Sequence, residues 1–238
     1  CVADGFDVIV AVGGDGTINN TARYVTGSAA VFGIVPQGSG NGLARHLHIN
    51  NNMADALRII NGFKQTRIDT GMANNEFFIN VAGVGFDAHV SWLFANAPRR
   101  GFVQYAKITL KEFAGYKARK YTLVVDGKTL ERDAFIVCAA NGSQYGNNVY
   151  IAPSAIVNDG LFEIAIIRSF SFFKAIALGV RMFTKTLHRS PLVELLAGKH
   201  LVIKRHLNEV INIDGEAVMT TQDVDIRMMP ASLKIIVP

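Results

Sequence analysis

Cysteine and long apolar runs are both scarce in this chain, and each shortage excludes a class of protein. The 238 residues include two cysteines, Cys1 and Cys138. They lie far apart and form neither a metal-binding spacing nor the framework of a disulfide-rich domain. This usage favours a reduced, cytoplasmic setting. No stretch is both long and charge-free enough to span a bilayer as a helix.

Charge is also sparse, since Asp, Glu, Lys and Arg make up 18% of the residues and the net charge is +5. That value is compatible with an anionic lipid surface or a nucleotide and singles out neither. Half of the residues are hydrophobic and the mean hydropathy is +0.24, which excludes a disordered chain. A chain of this length can hold a large core in one domain or two.

The most informative segment is a buried strand that runs into a glycine-rich loop. Residues 8–12 have the length and β-branched content of a strand that is covered on both faces. The loop that follows, Gly13-Gly-Asp-Gly-Thr17, exposes backbone amides at the start of a helix, and such amides bind phosphate. We expect Thr17 to cap this helix. An anion such as Asp15 beside a phosphate implies a joining cation, so the loop predicts a metal–nucleotide site. The alternative is a tight strand-to-helix turn in which the glycines serve geometry and Asp15 caps the helix.

A second strand–loop–helix unit follows the first. Residues 30–35 form a short apolar run, and Gly38-Ser-Gly-Asn-Gly42 leads into a helical segment at 43–47. Two such units in succession place both loops at the carboxyl edge of one parallel sheet, where open α/β sheets bind ligands. Ser39 and Asn41 would offer hydrogen bonds to phosphate oxygens or ribose.

The texture of the sequence changes near residue 65, where short alternating strands and hairpin turns begin to dominate. We therefore predict a small α/β lobe followed by a larger β-sandwich-like lobe. The first lobe would comprise residues 1–66 with 223–238, and the second residues 67–222. The strands predicted after residue 65 are 67–72, 77–81, 121–125, 135–140, 161–167, 200–204, 210–213, 224–228 and 233–237.

The motifs of this chain, in their order along the sequence, resemble those of the catalytic region of diacylglycerol and sphingosine kinases. The resemblance spans nearly the whole chain. It rests on Gly13–Thr17, Pro36-Gln-Gly-Ser-Gly-Asn-Gly-Leu-Ala-Arg45, Ala152-Pro-Ser-Ala155, Asn158-Asp-Gly-Leu161 and Ile213-Asp-Gly-Glu216. NAD kinases share the first loop, but the second motif here is that of the lipid kinases.

The resemblance implies a fold and an activity. The fold is a small doubly wound parallel-sheet lobe of the NAD-kinase type, followed by a β-sandwich lobe, with a cleft between them and the last strands returning to the first lobe. The activity is ATP-dependent transfer of the γ-phosphate, with Mg²⁺, to a hydroxyl of diacylglycerol or a related sphingoid lipid. The partner is then a lipid at the inner membrane face; a homodimer stays open and nucleic acid is not expected. A non-catalytic relative that binds nucleotide or lipid and an NAD kinase are the alternatives.

The resemblance also assigns roles to residues. Asp214 and Glu216 are the catalytic pair, one of them acting as general base, because alternation around Gly215 would aim both carboxylates at one face. The alternative is an Asp-Gly hairpin turn with a solvated glutamate. The residues expected to contact the nucleotide are Gly13, Gly14, Asp15, Gly16, Thr17, Ile18, Asn19, Gly38, Ser39 and Asn41.

A third acidic position has a different expected role. In bacterial relatives the turn that matches Asp159 holds a structural or regulatory Mg²⁺, with backbone carbonyls matching Ile156 and Leu161. One carboxylate, carbonyls and waters suit that cation. The alternative is a plain turn before a strand. Asp87, which follows glycine-rich backbone, is expected to face the cleft without an assigned role.

Two departures from the family pattern stand out. Many bacterial members have Asp where this chain has Gly42, which puts diacylglycerol in doubt as the acceptor. The family also has a βαβα segment before the first loop, whereas this sequence begins just ahead of the loop, so we expect it to be a fragment.

The segment from Phe170 to His188 has the pattern of a basic amphipathic helix. One face would carry Lys174, Arg181, Lys185 and His188, and the other Phe173, Ile176, Ala177, Val180, Phe183 and Leu187. Such a helix could lie on an anionic bilayer, or it could be an ordinary helix packed on a sheet.

Overall fold

The computed structural model describes residues 2–98, 101–205, 209–220 and 223–238, apart from the side chains of residues 102, 172 and 173. Cys1 and the side chain of Phe173, both named above, lie outside the described residues. Within these ranges 13 strands join in one continuous curled sheet. No helix among the described residues is long and apolar enough to cross a bilayer.

The bounds of the elements are as follows. The strands are β1 (Val8–Gly13), β2 (Val31–Pro36), β3 (Gln65–Ala73), β4 (Glu76–Phe78), β5 (Val81–Gly85), β6 (Arg119–Val125), β7 (Lys128–Ala140), β8 (Phe162–Arg168), β9 (Val193–Gly198), β10 (His200–Lys204), β11 (Glu209–Ile213), β12 (Glu216–Thr220) and β13 (Val224–Ile236). The α-helices are α1 (Asp15–Val25), α2 (Gly42–His46), α3 (Met53–Gly62), α4 (Phe86–Ala95), α5 (Phe102–Phe113) and α6 (Phe172–Phe183).

The first lobe is built on a parallel sheet, as the two strand–loop–helix units predict. β1 pairs in parallel with β2, and β2 with the end of β13. The apolar face of α1, which is Ile18, Ala22 and Val25, is buried in a core with Phe32 and Ile34 of β2. Because β1 and β2 are parallel neighbours, the loops that follow them emerge at the same edge of the sheet.

The second lobe is antiparallel and has two cores. The order β10-β6-β7-β5-β11-β12 continues the sheet, while β8 and β9 extend it from β7. Side chains such as Leu123, Phe162 and Ile226 fill the space inside the curled sheet, and α4, α5 and α6 pack on its other side. The predicted fold class, an α/β lobe followed by a β-sandwich lobe, is confirmed.

β3 and β13 run through both lobes. The end of β13 pairs with β2 through Ile235 and Phe32, and its beginning pairs with β10 through Ile226 and Leu201. β3 follows β13 on its other side, with an irregularity between Met229 and Leu233. The last strand therefore returns to the first lobe, as predicted. The lobe boundaries at 66/67 and 222/223 stay predictions, and residues 221 and 222 lie outside the described ranges.

The structure differs from the sequence interpretation in several elements of the second lobe. Strands and turns were expected to dominate after residue 65, yet α4 and α5 are helices and β9 and β12 are additional strands. The segment predicted as one strand at 77–81 is divided between β4 and β5, and the last two predicted strands are one strand, β13. The division at Ile79 and Asn80 matters for the site.

Candidate active site

The two glycine loops are in direct contact at the edge of the parallel sheet. A Cβ atom added to Gly38 would stand 2.6 Å from the Cα of Gly14, so only glycine allows this approach. At Gly14 and Gly38 the backbones of the two loops meet without an intervening side chain. Such paired glycine backbone is suited to the close approach of a phosphate chain.

Asp15 braces the second loop. Its Oδ2 accepts a hydrogen bond of 2.8 Å from the backbone N–H of Asn41, and its Oδ1 accepts one of 2.7 Å from that of Gly42. Burial raises the pKa of Asp15, while the two backbone donors oppose that rise. The carboxylate thus fixes one loop relative to the other.

The start of α1 differs from the expectation that Thr17 caps it. The helix begins at Asp15 with Gly14 as its N-cap residue, and no side chain accepts a cap hydrogen bond. Thr17 is therefore inside the first turn, and its assignment as the cap was wrong. Because no side chain occupies the cap position, the first-turn amides near Gly16 remain available to an anion.

The polar side chains of the second loop have unequal placements. Asn41 is fully buried in a left-handed conformation, with φ of 52°. Its side-chain amide exchanges hydrogen bonds with Gly38 and donates one to Asn51. Ser39 is exposed. Asn41 therefore stabilises the conformation of the loop, and the Ser39 hydroxyl is accessible to a ligand.

The acidic motif forms a two-residue hairpin turn between β11 and β12. Asp214 and Gly215 have φ of 50° and 91°, and Ile213 pairs with Glu216 across the turn. The Asp-Gly hairpin interpretation is thus correct for the backbone. Both acidic residues nevertheless line one cleft with Gly16 and Asn19. The turn, rather than alternation along a strand, brings them there.

The carboxylate of Asp214 is occupied by hydrogen bonds. It accepts three from the backbone N–H groups of Ile79, Asn80 and Val81, at 2.8 to 2.9 Å, and one of 2.6 Å from Nδ2 of Asn19. Burial outweighs these donors and raises the pKa of Asp214 to about 6. Asp214 therefore ties α1 and the β4–β5 junction to the acidic turn.

Glu216 is the exposed member of the pair. A Cβ atom added to Gly16 would stand 2.8 Å from Oε1 of Glu216, which places this carboxylate beside the start of α1. Among the residues that the structure describes, none forms a hydrogen bond or salt bridge with the Glu216 side chain. The carboxylate of Glu216 is therefore not committed to another group among the described residues.

A buried group supports the acidic turn from behind. Oδ1 of Asn212 accepts a hydrogen bond of 2.9 Å from the backbone N–H of Gly215, and its Nδ2 donates one of 3.1 Å to Oδ2 of Asp87. The hydroxyl of Tyr145 donates to the same carboxylate oxygen. Burial raises the pKa of Asp87 to about 6. The expectation that Asp87 faces the cleft was wrong, because it lies beneath the turn.

The structure shows why Gly42 lacks a side chain. A Cβ atom there would stand 2.7 Å from Nδ2 of Asn80 and 3.0 Å from the carbonyl oxygens of Gln144 and Tyr145. Asn80 is held in place by a hydrogen bond of 2.9 Å from Nδ2 to the Gln144 carbonyl. The amide of Asn80 fills the space into which a residue-42 side chain would project.

We predict that Gly42→Ala lowers the free energy of unfolding by about 1–3 kcal/mol, because the added methyl group overpacks this site. Urea unfolding of both proteins measures the difference. Gly62→Ala is the control, since a Cβ atom at that helical position meets nothing within 4 Å. It should be neutral or slightly stabilising. Equal effects of the two substitutions would contradict the packing argument.

The residues expected to hold a cation line a second cavity. Ile156, Asp159, Leu161 and Glu163 are among its walls. Oδ1 of Asp159 accepts a hydrogen bond of 3.0 Å from the Leu161 backbone N–H, and Oε2 of Glu163 is buried with no partner among the described atoms. No cluster of three acidic, His or Cys residues exists in the described ranges. The residues present fit a cation that takes few carboxylates and completes its shell with carbonyls and water.

Sequence reasoning missed Asn80 and Asn212, which position the loops and the turn. Asn80 bonds to the carbonyl of Gln144, and Asn212 bonds to Asp87 and to the backbone N–H of Gly215. Neither residue is part of a recognisable local motif. The polar character of Asn212 within the apolar strand β11 was the available signal, because a buried amide in a strand needs a defined partner.

Glycine loops of a parallel-sheet lobe that face the acidic turn of a β-sandwich lobe define a class, the two-lobe kinases with an NAD-kinase-like fold. Residues 1–73 match the model of the diacylglycerol kinase catalytic domain, and residues 80–237 match that of the YegS C-terminal NAD kinase beta sandwich-like domain. The chain therefore belongs to the diacylglycerol kinase and YegS family of lipid kinases.

Relatives in sequence agree with that membership. The "Probable lipid kinase YegS-like" protein of Shewanella frigidimarina (strain NCIMB 400) is 26% identical over 247 residues, covering 100% of this chain and 78% of that protein. A diacylglycerol kinase of Mycobacterium tuberculosis (strain CDC 1551 / Oshkosh) is 32% identical over 192 residues, covering 76% of this chain and 62% of that protein.

Solved structures share the fold. One from Bacillus anthracis str. Sterne superimposes with a TM-score of 0.79 over 99% of this chain and 79% of that chain, at 21% identity. A second from that organism, named a diacylglycerol kinase, gives 0.72 over 99% and 78%, at 19% identity. At these identities the likeness concerns the fold alone.

Proposed function

We propose that this protein transfers the γ-phosphoryl group of ATP to a hydroxyl of diacylglycerol or a related sphingoid lipid, in the cytoplasm at the inner membrane face. The observation that carries the proposal is the meeting of Gly16 and Glu216. It joins the glycine-loop edge of one lobe to the acidic turn of the other, so a phosphate chain and an accepting hydroxyl would share one cleft.

The nucleotide would be held by the backbone of the two loops. Its phosphates would meet the first-turn amides of α1, the glycine backbone at 13–16 and 38–40, and the exposed Ser39 hydroxyl. ATP supplies the transferable phosphoryl group and Mg²⁺ offsets its charge. Asp15 and Asn41 would serve by holding the loops in this arrangement.

Glu216 is the group that we assign as general base. A base needs an uncommitted carboxylate oxygen near the hydroxyl that it deprotonates. The Asp214 carboxylate already accepts four hydrogen bonds, whereas Glu216 is exposed in the cleft. Asp214 and Asn212 would instead keep the turn in register with α1, so that Glu216 faces the loops.

A radiolabel assay of the protein in its natural full length tests the proposal. It would be given labelled ATP with diacylglycerol, sphingosine, ceramide or NAD. Label in a lipid supports the proposal and identifies the acceptor. Label in NAD alone would indicate an NAD kinase, and label in none of the four acceptors would favour a non-catalytic relative that binds nucleotide or lipid. The site assignment fails if Asp15→Asn, Asp214→Asn and Glu216→Gln all transfer phosphate normally.

We predict that Mg²⁺ stabilises the protein through Asp159, Glu163 and the carbonyls of Ile156 and Leu161. Without nucleotide, magnesium at about one hundred times its Kd should add about 2.7 kcal/mol to the free energy of unfolding. Asp159→Ala should lose that increment, as measured by thermal melting with and without magnesium. Asp126→Ala is the control, because this residue also accepts backbone hydrogen bonds in a turn but is not among the walls of the cavity. An increment that survives in Asp159→Ala would exclude the site.

A further inference from the structure

Asp87 is a buried acid for which the proposed reaction has no use. It is 4% exposed and is the second residue of α4. Two hydrogen bonds converge on its Oδ2 atom, while its Oδ1 atom is buried without a hydrogen-bond partner among the described residues. A carboxyl group in such a place costs stability that an apolar side chain would not cost. The position therefore indicates a role other than packing.

One hydrogen bond of Asp87 leads to the acidic turn. Nδ2 of Asn212 donates to Oδ2 of Asp87 at 3.1 Å, and Oδ1 of Asn212 accepts from the backbone N–H of Gly215 at 2.9 Å. A backbone N–H can only donate, so the amide oxygen of Asn212 has to face Gly215 and the amide nitrogen has to face Asp87. Asp87 thus fixes the orientation of the amide that holds the residue between Asp214 and Glu216.

The other hydrogen bond leads toward the second glycine loop. The hydroxyl of Tyr145 donates to the same carboxylate oxygen at 3.1 Å. Gly146, the next residue, lies against the loop, since a Cβ atom added to it would stand 2.9 Å from the Cα of Gly40. Gly146 also forms a β-bridge with Asn41. Tyr145 therefore connects the buried carboxylate to the backbone that would cradle the phosphates.

The segment that touches the second glycine loop is held in an uncommon conformation. Gly146, Asn147 and Asn148 have φ of 123°, 49° and 61°, all of them positive. The backbone N–H of Asn147 donates to the carbonyl of Gly40 at 3.2 Å. The backbone N–H of Asn148 donates to Oε1 of Gln144 at 3.1 Å. Backbone of this kind persists only where its surroundings impose it, so the contact with the loop is a specified feature of the fold.

Both connections end on one oxygen atom. We propose that Asp87 is a positioning residue for phosphoryl transfer, an inference that rests on the proposed function. Through Asn212 and Tyr145 it holds the turn that carries Glu216 in a fixed position relative to the second glycine loop. Two donors that converge from separate parts of the chain need one acceptor between them, and the carboxylate supplies it. Because Asp87 is too deeply buried to touch a substrate, it acts only through these two neighbours.

Steady-state kinetics of lipid phosphorylation by the full-length protein test the proposal. Asp87→Ala should lower kcat by about 10- to 100-fold, because a small misplacement of the base relative to the phosphate slows transfer. The KM for ATP should change by about threefold or less, since Asp15 still joins the two glycine loops. Asp87→Asn should restore most of kcat, because its amide oxygen can accept both hydrogen bonds. An Asp87→Asn variant as slow as Asp87→Ala would overturn the proposal.

The matched control for Asp87→Ala is Ser91→Ala. Ser91 lies one turn further along α4, is 2% exposed and has no hydrogen-bond partner among the described residues. The substitution removes a buried polar group of the same helix and leaves both hydrogen bonds of Asp87 in place, so kcat should stay unchanged. Equal losses in the two variants would assign the effect to the packing of α4 and would also overturn the proposal.

A double-mutant cycle decides the question even if Asp87→Ala fails to fold. Tyr145→Phe deletes one hydroxyl, and Asn212→Ala removes the amide on the other side of Asp87. Each should lower kcat by about three- to tenfold, and the double variant should be within about twofold of the slower single variant, since both act through one carboxylate. Losses that multiply would show two independent contacts rather than one connection, and the proposal would be wrong.

Hydrogen exchange separates this proposal from the proposed function, because it needs no substrate. The Gly215 amide, followed by NMR, should exchange about tenfold faster in Asp87→Ala and at nearly its original rate in Asp87→Asn and Ser91→Ala. If exchange responds in this way but no lipid is phosphorylated, the proposed function alone fails. If lipid is phosphorylated and Asp87→Ala leaves kcat or the exchange of Gly215 unchanged, the positioning role alone fails.

Discussion

Glu216→Gln is expected to lower the rate of phosphoryl transfer by about 10²- to 10⁴-fold, which is the usual contribution of a general base. The substitution keeps the size and hydrogen-bonding capacity of the side chain and removes its ability to take a proton. Since Glu216 is exposed and makes no hydrogen bond with a described residue, the melting temperature should not change. Initial rates at saturating ATP and lipid, together with a melting curve, measure both quantities.

The control for Glu216→Gln is Glu76→Gln. Glu76 lines the same cleft, near Arg23, with which it forms a salt bridge of 3.9 Å. If any loss of negative charge in the cleft were enough to reduce transfer, both variants would slow equally. A large loss in Glu216→Gln with little change in Glu76→Gln supports the base assignment. The reverse pattern would refute it.

Asp214→Ala is expected to lower the free energy of unfolding by about 3–5 kcal/mol, because it leaves four partly buried donors without an acceptor. These donors are the backbone N–H groups of Ile79, Asn80 and Val81 and the Asn19 amide. Transfer should fall as well, because the turn that presents Glu216 loses its tie to α1. Denaturant unfolding measures the first effect.

A second Asp-Gly hairpin in the same chain provides the control. Asp126 has φ of 46°, close to the 50° of Asp214, and its carboxylate accepts hydrogen bonds from the backbone of Lys199 and His200. Those bonds are exposed to solvent, so Asp126→Ala should cost about 1 kcal/mol. If both substitutions cost the same, the loss would reflect the turn residue itself rather than the four partly buried hydrogen bonds that Asp214 accepts.

The first lobe could be predicted from the sequence because its signals are local. A β-branched run, a glycine loop and a helical apolar face follow one another in β1 and α1, and the burial of Ile18, Ala22 and Val25 confirms the helical part. The strand is present, but the expectation that it is covered on both faces was wrong, because Val10 and Val12 are exposed. The signals for the turn at Asn74 and Asn75, between β3 and β4, and for the turn at Asp126, between β6 and β7, are equally local. In each case the residues that decide the conformation lie within a few positions of one another.

The missed elements depended on distant packing. α4 is apolar on nearly every side and has Gly85 as its N-cap residue without a side-chain cap, so its sequence is also compatible with a buried strand. α5 could have been found, since Tyr105, Ile108 and Phe113 recur at roughly helical spacing and face the core. The continuity of β13 could not, because Pro230 interrupts the pattern and partner strands bridge the irregularity.

The same contrast holds within the site. The meeting of Gly16 with Glu216 could be expected only from the family resemblance, since 200 positions separate the two residues. The sequence could not predict which carboxylate of the acidic pair is held by hydrogen bonds and which is exposed. It depends on which carboxylate meets the three amides of the β4–β5 junction, and the junction itself was assigned as continuous strand.

The path of β13 has a thermodynamic consequence. β13 forms hydrogen bonds with β10 of the second lobe and with β2 of the first. Unfolding of either lobe would therefore break the pairing of a strand that the other lobe also uses. The molecule should melt in one cooperative step. A nucleotide bound at the glycine loops would then protect amides as far away as β10 from exchange with solvent.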